Sequence, residues 1–231
     1  MNGDALSTLI DELNGGATIG DTLKFQLVNA YKAMLEQERP WAVLRKTDTS
    51  KSVTVANTWQ TAIDLSTITG FSRFIGSRPV RLFDGSQRIV RYRQVPFGDR
   101  LEHISAPQTF VFDQSTKALY LNGTVQFAGS LYIRHLAYSA NLTENSLDTA
   151  WPFPSWAYPF LAFGAVAMHK GGVDYDEVNA RQLIQNNADA VKLYRALAKW
   201  DNEQQLSELD EYDQSAVDDD QWRPGAININ A

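Results

Sequence analysis

The stretch that most constrains the fold is the longest helical signal in the chain, from Ser155 to Trp200. Its first piece, Ser155–His169, is apolar almost all round, the mark of a helix enclosed on every side. Lys170-Gly171-Gly172 interrupts it, and Asp174 or Asp176 can cap the next helix. The second piece, Glu177–Trp200, places Ala180, Ile184, Val191, Tyr194 and Ala198 at helical spacing, with Leu183, Ala190 and Leu197 beside them. A long helix with one broad apolar stripe needs a partner. The expected partner is Asp21–Glu38, where Leu23, Leu27, Ala30 and Met34 line one face and Val28, Tyr31 and Leu35 widen it. The spacing therefore predicts Leu27, Met34, Ile184, Val191 and Leu197 buried between two long helices from opposite chain ends.

Between those helices, from Lys51 to Tyr138, the apolar period changes from 3.6 to 2. Ser52–Asn57 reads as a strand and Trp59–Asp64 as a shorter one. Val80–Phe83 runs into Asp84-Gly85, the strongest hairpin signal in the chain, and Gln87–Tyr92 returns. Thr109–Phe112, Ala118–Leu121 and Thr124–Phe127 are short strands, parted by Asp113–Thr116 and by Asn122-Gly123. Leu131–Tyr138 is long enough for a central strand. At the N-terminal end, Asp4–Asn14 reads as a short amphipathic helix capped by Asp4 and stopped by Gly15-Gly16. Pro40 ends the next helix, and Trp41 is expected to pack back on that helix end.

The expected class is α+β: an antiparallel helical bundle from both chain ends (1–50 and 150–212) with an inserted antiparallel β-meander (51–149). Beyond it lies an extended C-terminal arm (213–231). The arm has too little to bury for a fold of its own, and its Trp222 and Ile227/Ile229 alternation suit addition to another subunit's sheet edge.

Composition narrows the function. Cysteine is absent, which excludes disulfides, thiol catalysis and cysteine-based metal sites. No apolar run approaches the roughly 18 residues of a membrane span, and Met-Asn-Gly-Asp has neither the basic region nor the apolar core of a secretory signal. Neither membrane association nor secretion is expected. The net charge of −6 is unevenly spread: residues 201–220 hold nine acidic side chains and no basic one. Between Phe71 and Ser105, seven arginines stand against Asp84, Asp99 and Glu102. Arginine without lysine favours defined bidentate contacts over diffuse phosphate attraction, and a chain at −6 is a poor general polyanion binder. Arg88, Arg91 and Arg93, with Tyr92 among them, are thus candidate residues of a protein interface.

Signs of catalysis are sparse. Gly15-Gly16 and Gly171-Gly172 lack the lysine and hydroxyl residue of a phosphate loop, and no dinucleotide fingerprint occurs. His103, His135 and His169 are far apart and lack metal-ligand spacing, so neither a metal nor a cofactor is expected. Asp99 and His103, four apart and with Asp84 near by, leave open a small hydrolase working on loop carboxylates and a histidine. Trp151, Trp156 and nearby tyrosines leave open a monomeric peptide- or glycan-binding module.

The order of elements carries a resemblance. A helix pair runs into Trp41, a β-region spans 52–138, and Trp151-Pro-Phe-Pro leads into helices ending in Arg181, Asn187, Tyr194 and Trp200. This pattern resembles the head–tail connector (adaptor or head-completion) proteins of tailed bacteriophages. Phe110–Leu121 followed by Leu131-Tyr-Ile-Arg is similar to their β-insertion, and Phe163–Trp200 to their paired helices. The resemblance implies a structural protein of the virion, made in the host cytoplasm and placed at the head–tail junction. It would form a ring, commonly a dodecamer, between the portal protein and the tail or next neck ring, with DNA only as passing cargo. The arginine-rich stretch and the acidic run are not marks of that family and inherit no role from it.

Overall fold

In a computed structural model, the structure describes residues 2–54, 62–85, 88–145, 151–171 and 182–209. The chain forms two compact units. Among the described residues, one is built from both ends of the chain, through Leu44 and from Ser139 to Leu209; the other is Arg45–Tyr138.

The end-built unit is helical. Helix α1 (Gly3–Leu13) is capped by Asn2, whose Oδ1 accepts from the Ala5 amide at 2.9 Å, so the cap sits two residues before the expected Asp4. It buries Leu6 and Ile10 and stops where Gly15 and Gly16 take φ of 80° and 78°, a conformation only glycine adopts cheaply. Helix α2 (Asp21–Glu38) ends before Pro40. Trp41 is wholly buried and its Nε1 donates to the Leu35 carbonyl at 2.6 Å.

Helix α3 (Tyr158–Lys170) begins with Pro159 in its first turn, where a missing amide costs least. It is buried over Phe160–Ala162 and Gly164–Met168, and both α1 and α2 pack mainly on it. At Gly164 the approach is so close that a methyl group would sit 1.9 Å from Cδ1 of Tyr31. Helix α4 (Ala188–Leu209) starts from Asn187, whose Oδ1 accepts from the amides of Asp189 and Ala190, each at 3.0 Å. It rests on α3 and on the 3-10 turn Ala42–Leu44.

This corrects the expected pairing of the two long helices. The helix that is apolar all round takes the centre, because only that position removes its whole circumference from water, and α2 turns Leu27, Val28, Tyr31 and Leu35 into buried positions. Leu27, Ile184 and Leu197 are buried as expected, whereas Met34 and Val191 are half-buried. Of the expected helix Glu177–Trp200, residues 177–181 lie outside the described residues. A helical turn at 182–185 precedes the cap at Asn187.

The second unit is an eight-stranded mixed sheet, nearly closed into a barrel. Its strands are β1 (Arg45–Val53), β2 (Ala62–Asp64), β3 (Phe71–Phe74), β4 (Val80–Phe83), β5 (Ile89–Gln94), β6 (Thr109–Asp113), β7 (Ala118–Leu121) and β8 (Gly129–Ala137). Their order is β1-β8-β4-β5-β6-β7-β2. β3 also pairs β8: Phe74 lies opposite His135 and Val80 opposite Ile133, so β3 and β4 succeed one another along a single edge of β8 with residues 75–79 looped out. Ile75 donates to the Arg134 carbonyl at 3.2 Å and Arg134 to the Pro79 carbonyl at 2.8 Å, so the backbone on both sides of the loop stays paired.

The fold is therefore α+β, but it is not a helical bundle carrying an inserted antiparallel meander. The sheet is mixed, because β5 and β6 are parallel, with Arg93 opposite Thr109 and Gln94 opposite Phe110. The segment between them turns through a 3-10 element, Phe97–Asp99, and so returns to the same end of the sheet. Thr124–Phe127, expected as a strand, makes only an isolated bridge at Val125.

Alternation fills one face of the sheet. Val80, Leu82, Tyr92, Phe110, Leu119, Leu131 and Ile133 are each at most 3% exposed and share one core with Phe112 and Leu121. Phe71 and Phe74 close it edge-on, 5.5 Å from Phe112 and 4.9 Å from Phe110 between ring centroids.

Candidate interaction surface

The same alternation that fills the sheet interior decides what its other face offers. On β5, Val90 and Tyr92 turn inward, so Ile89, Arg91 and Arg93 turn outward and are exposed. Register then builds a row across three strands: Tyr132 of β8 stands opposite Arg81 of β4, which stands opposite Arg91 of β5. One step along, Ser130, Phe83 and Ile89 form the next row. Tyr132 and Phe83 meet edge to face with centroids 5.9 Å apart. Ile89 is 54% exposed and Tyr132 37%, so guanidinium groups and apolar surface lie side by side on a rigid support. That mixture, arginine with aromatic and aliphatic side chains, is the composition of protein interfaces.

Of the three expected interface arginines, the structure puts two on this face and one elsewhere. Arg88 sits in the β4–β5 turn. Its Nε forms an ion pair with the Asp84 carboxylate, and its amide donates to Asp84 Oδ1 at 3.2 Å. Its guanidinium also lies 4.6 Å from the centroid of the Phe127 ring. Arg88 thus fastens the hairpin. Arg81 and Tyr132, absent from the sequence-based set, join through cross-strand register, which no local pattern encodes. Arg100, also in the arginine-rich stretch, stacks over Tyr120 at 4.1 Å. The remaining candidates Trp222, Ile227 and Ile229, and the arm 213–231 that carries them, lie outside the described residues.

The groups of a hydrolase do not converge. Asp84 has a side chain only 4% exposed and is engaged by Arg88. Asp99 and His103 meet through the backbone, the His103 amide donating to the Asp99 carbonyl at 3.2 Å. His135 is buried in β8, its Nδ1 3.1 Å from the Ile133 carbonyl and its ring against Phe71. Among the described residues no group of three or more His, Asp or Glu side chains is placed to hold a metal ion.

The tryptophans of a binding module are also divided. Trp151 is buried, stacked on Phe153 at 4.4 Å, with its Nε1 donating to Glu36 at 3.1 Å, whereas Trp156 is 40% exposed. An open cleft of about 570 Å³ lies at the start of α2, bordered by Asp21, Thr22, Phe25, Asn29, Asn141 and Glu144. Two of its polar groups, Asn29 and Asp21, already serve the fold. Asn29 donates to the carbonyls of Phe25 and Leu142, and Asp21 accepts from Lys24 at 3.1 Å. Among the described residues no helix is long and apolar enough to cross a membrane.

Compared with known protein families and with curated proteins, the chain matches no family and no curated sequence.

Proposed function

We propose that the chain is a structural protein of a tailed-bacteriophage virion, forming a ring that links the capsid portal to the tail and continues the DNA channel. The observation that supports this reading best is the outward row of Arg91, Arg81 and Tyr132 with Ile89 and Phe83 beside it, the mixture of arginine and apolar side chains that protein interfaces favour. The resemblance in element order supplies the place. Partners are further copies of the chain, with a dodecamer as the expected ring, the portal protein on one side, and the tail or next neck ring on the other. DNA passes through as cargo. The protein links and does not catalyse. The arm 213–231 clamps a neighbouring copy or the portal.

Mixing the purified chain with isolated portal rings tests this. Electron microscopy and sedimentation should show an added ring on the portal, and deletion of residues 214–231 should remove it. Failure to associate, together with a hydrolytic turnover that Asp99→Asn abolishes in a folded protein, would replace the reading with the hydrolase.

A further inference from the structure

The net charge of −6 conceals a strong segregation. The sheet unit, Arg45–Tyr138, holds twelve Lys and Arg against six Asp and Glu, a formal +6. The rest of the chain holds nine against twenty-one, a formal −12. On the sheet, positive charge gathers on the outward face of β4, β5 and β8, where Arg91 and Arg93 are exposed along one strand and Arg81 lies directly across from Arg91. In the rest, negative charge peaks between positions 208 and 220, which carry Glu208, Asp210, Glu211, Asp213, Asp218, Asp219 and Asp220 with no basic residue among them.

We propose that this outward sheet face receives the acidic 208–220 segment of a neighbouring copy, so that subunits join head to tail through charge. The inference rests on the ring-forming reading and names the surfaces that make the ring. Three features carry it. Strand pairing fixes the backbone positions of the arginines in register, so their spacing is set before carboxylates arrive, and guanidinium and carboxylate groups match as bidentate pairs. Ile89 and Tyr132 provide apolar ground among the arginines, and Tyr212 and Val217 stand between the acids of the segment, so both partners alternate charged and apolar groups. Finally, the two surfaces differ from each other. A contact between unlike patches is heterologous and propagates from copy to copy until it closes, as a ring requires, whereas a self-complementary patch would stop at a two-fold dimer.

The test is a charge swap on the full chain, read by sedimentation velocity with and without portal rings. Arg91→Glu/Arg93→Glu and, separately, Asp218→Lys/Asp219→Lys/Asp220→Lys should each weaken association about tenfold or more. An equimolar mixture should restore it, because the reversed face of one variant fits the reversed segment of the other and the two unreversed surfaces still match. Assembly should also weaken when salt rises from about 0.05 M to about 0.5 M, as screening shortens the reach of these charges. Circular dichroism checks each fold, and Arg93→Glu alone serves if the double variant is unstable.

Variants that assemble like the parent would overturn the inference and leave the ring reading standing. Weakened assembly that mixing does not restore would also overturn it, placing the segment on its own chain. Submicromolar duplex DNA binding lost in Arg91→Glu/Arg93→Glu would reassign the face to a polyanion. A parent chain that neither self-associates nor joins the portal would remove the ring reading itself, and this inference with it.

Discussion

Glu36 shows how much of this molecule is settled by single buried polar side chains. It is 1% exposed, yet it accepts from the Ser139 amide at 3.1 Å, from Trp151 Nε1 at 3.1 Å, from Lys32 Nζ at 3.4 Å, and from the Ser139 hydroxyl. Lys32, 2% exposed, also reaches the Ser139 carbonyl at 3.0 Å. Burial pulls its ammonium below the usual lysine range, and the charge of Glu36 opposes that pull. These bonds fasten the chain's return at Ser139 and Trp151 to α2. Removing one member of a buried pair costs about 3–5 kcal/mol. Glu36→Ala should fall at the upper end of that range, because it orphans the donors of Lys32, Ser139 and Trp151 together. Lys32→Met should cost less, since Glu36 keeps its other donors. Urea unfolding followed by tryptophan fluorescence measures both, and equal losses would contradict this ordering. No local pattern marks the pair. Polar residues on an amphipathic helix read as solvent-facing, and Ser139 lies 103 positions from Glu36. The same holds for Asp201: it lies in the acidic run, yet it is wholly buried, accepting from the Ala42 amide at 2.6 Å and pairing with Arg39 at 2.8 Å. Trp41 was legible because Pro40 left it only one place to go.

Among the elements, local signals were readable and long-range pairing was not. The Asp84-Gly85 turn joins β4 to β5 as expected, with Gly85 at φ 80°, because a hairpin needs only its own residues to declare it. The parallel β5–β6 pair has no such declaration, since short strands separated by turn residues suit a meander equally well. The split of the arginine cluster was hidden too: period-2 alternation places Arg91 and Arg93 on one face, but the turn that captures Arg88 depends on Asp84 being nearly buried. The β6–β7 hairpin offers a measurable case of turn chemistry. The Asp113 carboxylate accepts from the Ser115 amide at 2.9 Å, from Ser115 Oγ at 2.6 Å and from the Thr116 amide at 3.4 Å. The hydrogen bonds from Ser115 and then Thr116 hold its pKa down at about 2. A carboxyl depressed in the folded state stabilises it above the unfolded value, about 3.9, and that contribution is lost as pH falls through the folded value. The gap in melting temperature between the parent chain and Asp113→Ala should therefore be fully open near pH 7 and close between about pH 4 and 2. A gap independent of pH would show that the turn does not depend on the ionised carboxylate.

At the scale of the whole molecule, each of the two units owns a core. The sheet core is assembled from strands within Arg45–Tyr138, with Leu131 and Phe110 wholly buried in it. The helical core contains Trp41, Trp151, Phe160 and Leu161, all at most 1% exposed, contributed by the two chain ends. The sequence anticipated this division in outline because the apolar period itself changes between segments. It misjudged how the strands pair, since a sheet is built by registers between strands that periodicity cannot see. Hydrophobic stabilisation is local to the core that loses the atoms, so a cavity should report on its own unit. Leu131→Ala should cost about 2–5 kcal/mol and Phe160→Ala about 3–5 kcal/mol. Calorimetry should resolve two transitions, with Leu131→Ala lowering one and Phe160→Ala the other. Tryptophan fluorescence should weight the second, because Trp41, Trp151, Trp156 and Trp200 belong to the helical unit whereas Arg45–Tyr138 contains only Trp59. One transition displaced as a whole by either substitution would mean that the units unfold as a single cooperative body.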